Sequence, residues 1–265
     1  MTTEQTARTP LALVTGASTG IGRALAQELA ERGFDLVVAA EEAEIHQAAT
    51  ELRATGRTVV PVQVDLATAD GVEELHRRAG EAGPVSVVAL NAGIGVNGRF
   101  DRTSLQDNLT LVDLNVRSTV HLAHLVLQDM SARGEGRVLV TSSIAAVAPG
   151  PYHATYAASK AFVHSFAEGI RDELKDTGVT VTSLMPGPTD TEFFSRADME
   201  DTKIGQMENK DDPREVAREG VDALLAGKAS VVSGSFTNRI QAELGTHLPD
   251  ALAAPLLARM TKPQD

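Results

Sequence analysis

The stretch 11–22, LALVTGASTGIG, joins an apolar run to a helical one through a glycine-rich turn. Residues 11–15 are apolar or β-branched, and from Ile21 onward the apolar positions recur at helical spacing. This order predicts a strand, a tight turn and a helix. Glycines in such a turn let the backbone approach a pyrophosphate, which the amides and dipole of the helix N-terminus attract. The stretch therefore predicts a dinucleotide site. No Gly-Lys-Ser/Thr follows it, which disfavours nucleoside triphosphate hydrolysis.

Short apolar runs and longer amphipathic stretches alternate along the rest of the chain, which is typical of repeated βα units. The predicted class is α/β: a Rossmann-like, doubly wound, parallel sheet of seven strands with helices on both faces, in a single domain. Strands are predicted at 11–15, 36–40, 58–64, 85–90, 137–142, 180–184 and 230–233. Helices are predicted at 21–30, 43–55, 69–82, 109–132 and 154–177, and from Pro213.

Two segments fall outside this alternation. Residues 1–9 are polar and are interpreted as a flexible N-terminal tail, which leaves 10–265 as the dinucleotide-binding and catalytic domain. Residues 189–212 are charged and poor in periodicity, so they form either a lid over a ligand site or a plain surface insertion. Phe193 and Phe194 in this segment either cover an apolar substrate or anchor the loop.

Composition and charge exclude several classes of function. The 265 residues carry a formal charge of −12, so neither a nucleic acid nor a membrane is an expected partner, because both are polyanions bound through clustered Lys and Arg. The chain has no cysteine, which removes disulfides and thiolate chemistry and fits a cytoplasmic location. His121 and His124 lie three residues apart, but no third ligand is spaced beside them, and no metal site is predicted.

Tyr156 and Lys160 carry the chemistry that the sequence suggests. Their spacing places both on one face of a predicted helix. A free phenol has a pKa near ~10, and a neighbouring ammonium is expected to lower it toward working pH. Ser143 follows a predicted strand, so its hydroxyl would face the same crevice and orient a substrate carbonyl. Asn115, amid apolar positions of the long helix, is either a satisfied buried amide or part of a proton relay.

The end of the second strand bears on the choice of dinucleotide. Glu41 and Glu42 follow it, and carboxylates there would bond a ribose 2′-hydroxyl and repel a 2′-phosphate. Thr19 in the turn is not basic either. The expected cofactor is NAD or NADP, with NAD favoured. From the residues alone, we assign cofactor contacts to Gly16, Ser18, Thr19, Gly20, Ile21, Gly22 and Glu41.

In its motifs and their order, the chain resembles the short-chain dehydrogenase/reductase superfamily in its compact form, over about residues 10–233. The matching motifs are Thr15-Gly16-x-x-x-Gly20-Ile21-Gly22, Asp65-Leu66, Asn91-Ala92-Gly93, Asn115, Ser143, Tyr156-x-x-x-Lys160 and Pro186-Gly187. The resemblance implies a catalytic set of Asn115, Ser143, Tyr156 and Lys160, and a homotetramer or homodimer formed through the long helices. It adds as cofactor contacts Asp65, Leu66, Asn91, Ala92, Gly93, Tyr156, Lys160, Pro186, Gly187, Thr189 and Thr191.

The predicted function is hydride transfer between a nicotinamide and a small-molecule secondary alcohol or ketone, with Tyr156 as the acid/base group. Two alternatives remain open at this point. One is a catalytically inactive dinucleotide sensor or scaffold on the same fold, because a fold does not establish an activity. The other is an epimerase or dehydratase with a retained nicotinamide, which the short C-terminal portion disfavours.

Overall fold

The computed structural model describes residues 9–234 and 250–264. The predicted N-terminal tail lies outside these residues, except for Thr9. The strands are β1 (Leu11–Thr15), β2 (Asp35–Ala40), β3 (Val59–Gln63), β4 (Val85–Leu90), β5 (Gly136–Thr141), β6 (Val179–Pro186) and β7 (Ser230–Ser233). The helices are α1 (Gly20–Glu31), α2 (Glu44–Leu52), α3 (Ala69–Ala82), α4 (Leu105–Val112), α5 (Ser118–Arg133), α6 (Ala154–Glu173), α7 (Phe193–Arg196), α8 (Pro213–Leu225) and α9 (Asp250–Thr261).

The seven strands form one parallel sheet in the order β3-β2-β1-β4-β5-β6-β7. Leu13 of β1 lies opposite Val37 on one side and Val88 on the other. The strand order reverses between β1 and β4, and ligands of such sheets bind in the crevice beyond the carboxyl ends of the strands at that point. The predicted doubly wound α/β class is confirmed.

Helices cover both faces of the sheet, as the continuously apolar strands require. Val14 faces an apolar cluster shared with α1, α2 and α8, whereas its neighbour Leu13 faces a second cluster with α3, α5 and α6. Both side chains are fully buried. The two cores fix the strand ends and therefore the residues that follow them.

The predicted helix 109–132 differs from the observed one in two respects. It begins earlier, at Leu105, because Ser104 caps it by accepting a hydrogen bond from the Asp107 amide at 3.2 Å. Residues Asp113–Arg117 then form a π-helical turn between α4 and α5. Such a turn is a short, local departure from the α-helical hydrogen-bond pattern, and periodicity over the long stretch did not indicate it.

Smaller differences lie at helix ends. The predicted helix 43–55 is α2 followed by a short 3₁₀ turn, and α6 ends at Glu173 rather than at residue 177. The predicted start at Pro213 is confirmed, with the Asp212 carboxylate accepting from the Arg214 amide at 2.8 Å.

Residues 189–212 leave the sheet and return to nearly the same point. Thr189 and Asp211 form an isolated parallel bridge, and the Asp190 amide donates to the Asp211 carbonyl at 2.9 Å. Between these ends, Phe194, Ala197 and Met199 form a small buried apolar cluster. The segment is therefore a compact excursion with a paired base.

Within residues 9–234 and 250–264, no helix combines the length and the apolar character needed to cross a membrane.

Candidate active site

The glycine turn between β1 and α1 is packed tightly against the loop after β4. Gly16 has φ +65°, and a Cβ added there would lie 2.9 Å from the Cα of Ala92. A Cβ on Gly22 would overlap the carbonyl oxygen of Gly16. The turn cannot accept side chains at these positions, which keeps its backbone accessible at the end of β1.

The N-terminus of α1 is left open toward the crevice. Its N-cap, Thr19, makes no side-chain capping hydrogen bond, and the first turn of the helix carries no acidic residue. The first amides of a helix have no partner within the helix, and they attract anions when no carboxylate lies beside them. This end of α1 therefore fits a pyrophosphate. Ile21 lies partly buried against the core beneath it.

Thr15 joins the turn to the Asn91-Ala92-Gly93 motif. Its hydroxyl oxygen accepts from the amides of Asn91 at 2.9 Å and Ala92 at 3.0 Å, and it is 3.3 Å from the Ala89 carbonyl. The Asn91 side chain returns a hydrogen bond to the Thr15 carbonyl at 3.2 Å. In the sequence, Thr15 was noted only as the first residue of the glycine motif, and its link to Asn91 was not predicted. Its signal was a hydroxyl at the last position of an otherwise apolar strand.

Of the two carboxylates after β2, Glu42 is the one that reaches the turn. Ser18 donates to its Oε2 at 3.2 Å, and Arg196 of α7 contacts its Oε1 at 2.8 Å. Glu41 is exposed, and its backbone carbonyl accepts from Gln63 at 3.0 Å. The sequence assigned the cofactor contact to Glu41, whereas Glu42 is the carboxylate that lies at the turn.

The residues predicted after β3 lie at the same edge of the sheet. Asp65 is exposed, and its carboxylate accepts from the Ala67 amide at 2.8 Å. Leu66 is buried in the second core. Asp65 therefore presents a polar side chain at this end of the crevice, while Leu66 supports it from beneath.

Tyr156, Lys160 and Ser143 converge where β5 ends and α6 begins. Ser143 is hydrogen-bonded to Tyr156, and its hydroxyl also accepts from the Ala145 amide at 3.1 Å. The Lys160 Nζ lies 5.7 Å from the centroid of the Tyr156 ring and donates to the Thr141 carbonyl at 2.9 Å. The structure thus brings together the three side chains that the sequence predicted to share a crevice.

Burial governs the protonation of this pair in the protein alone. Desolvation raises the pKa of Tyr156 to about 12, although the hydrogen bond from Ser143 acts to lower it. Desolvation also lowers the pKa of Lys160 to about 8. The sequence-based expectation was that Lys160 would lower the tyrosine pKa. In the structure burial outweighs that effect. Removing the phenolate from water destabilises it by more than the nearby ammonium stabilises it, so the tyrosine pKa rises.

Asn115 occupies the π-helical turn and is buried. Its Nδ2 donates to Ser159 Oγ at 3.0 Å and to the Ile94 carbonyl at 2.9 Å, and its Oδ1 accepts from the Ile94 amide at 2.9 Å. A Cβ on Gly93 would lie 3.1 Å from this Oδ1 and 3.4 Å from Lys160 Nζ. Asn115 and Lys160 therefore both lie next to Gly93, and Asn115 ties the loop after β4 to α6.

The base of the segment 189–212 borders the glycine turn and Ser143. A Cβ on Gly20 would lie 3.1 Å from Thr191 Cγ2, and Thr189 Oγ1 donates to the Gly187 carbonyl at 2.9 Å. The Pro186 carbonyl is 3.5 Å from Ser143 Oγ. These contacts bring the predicted residues after β6 to the same crevice as the glycine turn.

Phe193 lies directly on the tyrosine. The two ring centroids are 5.1 Å apart at 48°, and a Cβ on Gly95 would be 2.7 Å from the Phe193 Cζ. Phe194 points instead into the buried cluster of its own segment. Phe194 therefore anchors the loop, while Phe193 packs both against that cluster and on Tyr156.

Known proteins match this chain over most of its length. The family model described as short chain dehydrogenase matches residues 10–201. An uncharacterized oxidoreductase of Myxococcus xanthus is 39% identical over 178 residues, which is 66% of this chain and 70% of the relative.

Two solved structures share the fold. A short-chain dehydrogenase from Sphingobium yanoikuyae in complex with NADPH is 25% identical, with a TM-score of 0.80 over 97% of this chain and 98% of that one. A 3-oxoacyl-[acyl-carrier protein] reductase from Brucella melitensis in complex with NAD is 27% identical, with a TM-score of 0.74 over 85% of this chain and 95% of that one.

The fold and the site together define an oxidoreductase of the doubly wound α/β class. The chain belongs to the short-chain dehydrogenase family.

Proposed function

We propose that the protein transfers a hydride between a nicotinamide dinucleotide and a small-molecule secondary alcohol or ketone. The observation that carries this proposal is the convergence of Ser143, Tyr156 and Lys160 on one crevice with the glycine turn. A bound nicotinamide would supply or accept the hydride at its C4. The open N-terminus of α1 would hold its pyrophosphate, and Lys160 its ribose.

Tyr156 is the proposed proton donor in the reducing direction. With its pKa raised to about 12, the phenol keeps its proton at neutral pH and can give it to the oxygen on which negative charge develops. Ser143 donates a hydrogen bond to the same oxygen, and this bond strengthens as the charge grows. Lys160, cationic at neutral pH, stabilises the phenolate that remains. Asn115 lies next to Gly93, as does Lys160 Nζ, and we propose that it links the lysine to solvent through a bound water.

The cofactor preference that we propose is NAD. Glu42 lies at the turn with no basic residue in the place of Thr19, so a 2′-phosphate would meet a carboxylate. Arg196 partly offsets this charge at 2.8 Å. Relatives of known structure were solved with NADPH and with NAD, which supports a dinucleotide of either kind.

Residues 189–212 are proposed to act as a lid. Their paired base at Thr189 and Asp211 provides a hinge, and Phe193 and Arg196 reach across the crevice to Tyr156 and Glu42. Opening would uncover the catalytic hydroxyl, and closing would exclude water from it.

A homodimer or homotetramer is proposed through the long helices. Leu105, Leu109 and Val112 form an exposed apolar stripe along α4, and Phe162 of α6 is 44% exposed. Thr155 donates to Asn108 at 2.6 Å, which holds the two helices side by side. Leu109→Asp should lower the mass measured by light scattering after size-exclusion chromatography.

The second candidate function is an inactive dinucleotide sensor or scaffold. A sensor has no need of an acid at the substrate position, so turnover decides between the two. We would follow reduced nicotinamide absorbance with NAD(H) and NADP(H) over a panel of alcohols and ketones, with Ser143→Ala as the matched variant. Turnover that falls about 10²-fold in Ser143→Ala supports the enzyme. Tight dinucleotide binding without turnover on any member of the panel supports the sensor.

A further inference from the structure

Asn97 and His153 each bury a polar side-chain atom that lacks a hydrogen-bond partner among the described residues. The atoms are Asn97 Oδ1 and His153 Nδ1. Buried polar atoms in native proteins are nearly always hydrogen-bonded, because an unpaired one keeps its desolvation cost without compensation. Two such atoms on joined loops, one of which adjoins Tyr156, point to a ligand that pairs with them.

His153 lies beside Tyr156, and a hydrogen bond joins the loop that carries Asn97 to the loop that carries His153. The Gly98 amide donates to the Tyr152 carbonyl at 2.7 Å, which joins the loop after β4 to the loop before α6. The His153 ring centroid is 6.1 Å from that of Tyr156. Asn97 Nδ2 donates to the Asp198 carbonyl at 3.3 Å, which places Asn97 against the lid.

The chemistry of the two atoms is complementary to a hydroxyl group. The Asp198 carbonyl can only accept, so it fixes the amide of Asn97 with Nδ2 toward it and leaves Oδ1 as a free acceptor. Burial lowers the pKa of His153 to about 4, so at neutral pH the ring carries one N–H and one lone pair. A hydroxyl group has the chemistry to satisfy both atoms, since it can donate to an amide oxygen such as Asn97 Oδ1 and accept from His153 when Nδ1 carries the ring proton.

Costly backbone conformations hold both residues in place. Tyr152 has φ 64° and Asp198 has φ 53°, and within residues 9–234 and 250–264 no other non-glycine residue has a positive φ. Their carbonyls are the ones that accept from Gly98 and Asn97. Strain of this kind persists where the surroundings over-determine it, and it is concentrated at functional sites.

We propose, building on the dehydrogenase function proposed above, that Asn97 and His153 bind a second hydroxyl group of the substrate. The substrate class is then a hydroxylated ketone, or the corresponding diol, whose carbonyl carbon faces Tyr156. Phe193 packs on the tyrosine and provides an apolar surface for the carbon skeleton.

The test uses pairs of ketones that share a carbon skeleton. Cyclohexanone is compared with its 2-, 3- and 4-hydroxy derivatives, because the ring isomers place the hydroxyl at different distances from the carbonyl. In the full-length protein with its preferred dinucleotide, we expect kcat/KM for at least one hydroxy isomer to exceed that of cyclohexanone by about tenfold, the usual worth of a well-placed hydrogen bond. Asn97→Leu and His153→Phe should each bring this ratio to within about twofold of one.

Thr180→Val is the matched control. Its hydroxyl is also buried without a hydrogen-bond partner among the described residues, but it lies in β6 at the end remote from Pro186. The ratio should stay at its wild-type value in this variant.

Thermal unfolding gives a readout independent of turnover. His153 is the N-cap residue of α6, yet its side chain makes no capping hydrogen bond. We therefore expect His153→Phe to keep or raise the Tm in the absence of substrate, because the substitution removes a buried polar atom that has no hydrogen-bond partner among the described residues. A lowered Tm together with an unchanged ketone ratio would make His153 a structural residue and overturn the inference.

Equal kcat/KM for cyclohexanone and all three hydroxy isomers would also overturn the inference, while the dehydrogenase function would stand. Dinucleotide binding with no turnover of any alcohol or ketone is a different result, because it contradicts the proposed function itself.

Discussion

The Lys160 ammonium donates a hydrogen bond to the Thr141 carbonyl at 2.9 Å and lies 5.7 Å from the centroid of the Tyr156 ring. A buried cation is thus held beside a buried phenol without bonding to it. Burial therefore raises the pKa of Tyr156 and lowers the pKa of Lys160.

The phenol of Tyr156 should resist ionisation in the protein without cofactor. The chain contains two tyrosines and no tryptophan, so Tyr152→Phe leaves Tyr156 as the single phenol. Burial disfavours the charged phenolate, and its ultraviolet absorbance should therefore appear only as the pH approaches the pKa of about 12. A titration midpoint below the ordinary value, near ~10, would show that the lysine outweighs burial.

Replacing the buried ammonium should stabilise the fold while abolishing function. The pKa of Lys160 falls from 10.5 to about 8 on folding, so below pH 8 the folded state carries a charge at a cost of up to about 3 kcal/mol. Lys160→Met removes that cost, less the loss of the bond to Thr141. Between pH 8 and 10.5 Lys160 is protonated in the unfolded state and largely neutral in the folded state. The free energy of unfolding of the wild type therefore rises, relative to that of the variant, as the pH increases through this window.

Urea denaturation at pH 7 and at pH 10.5 checks this expectation. The gain from Lys160→Met should be largest at pH 7 and shrink at pH 10.5. A variant that is less stable than wild type at pH 7 would contradict it.

Thr15 should matter for both stability and cofactor binding. Thr15→Val keeps the shape of the side chain but leaves the amides of Asn91 and Ala92 without their acceptor. Two unpaired amides cost about 2–4 kcal/mol together, and the loop after β4 loses its fixed place beside the turn. Thr15→Ser retains the oxygen and serves as the control. Equal urea midpoints and equal dinucleotide affinity for the two variants would refute the assignment.

Gly95 should set the position of Phe193. A methyl group there would lie 2.7 Å from Phe193 Cζ and 3.0 Å from Ala197 Cβ, so Gly95→Ala must displace the ring from Tyr156. We expect kcat/KM to fall by about tenfold or more, because small misplacements near the reacting group are costly. Phe193→Ala in the Gly95→Ala background should recover part of the loss. Gly80→Ala, where a Cβ meets no atom within 4 Å, should leave the rate unchanged.

The fold was predictable because its signals are local and repeated. Alternating apolar runs predicted the seven strands, and the glycine turn predicted where the crevice lies. The convergence of Ser143, Tyr156 and Lys160 was predictable for a related reason, since the carboxyl ends of parallel strands must meet at one edge of the sheet. Asn115 was predicted as a site residue, but the π-helical turn that carries it was not, because its five residues are too few to show a period of their own.

Long-range contacts account for the rest of what the sequence did not indicate. The link between Arg196 and Glu42 joins residues 154 positions apart, and no spacing rule connects them. The packing of Phe193 on Tyr156 depends on how the segment 189–212 folds back. The sequence of this segment has no helical or strand periodicity from which that path could be predicted. The protonation of Tyr156 was misjudged because burial, unlike spacing, is set by the whole fold.

The most direct test of the central claim is the single substitution Tyr156→Phe, with dinucleotide binding and turnover measured on the same preparation. Phenylalanine keeps the ring and removes only the hydroxyl that is proposed to exchange the proton. We expect the dissociation constant for the preferred dinucleotide to stay within about threefold of wild type, while kcat falls by about 10²–10⁴-fold. Turnover close to that of wild type would show that the proton comes from elsewhere and would contradict the account.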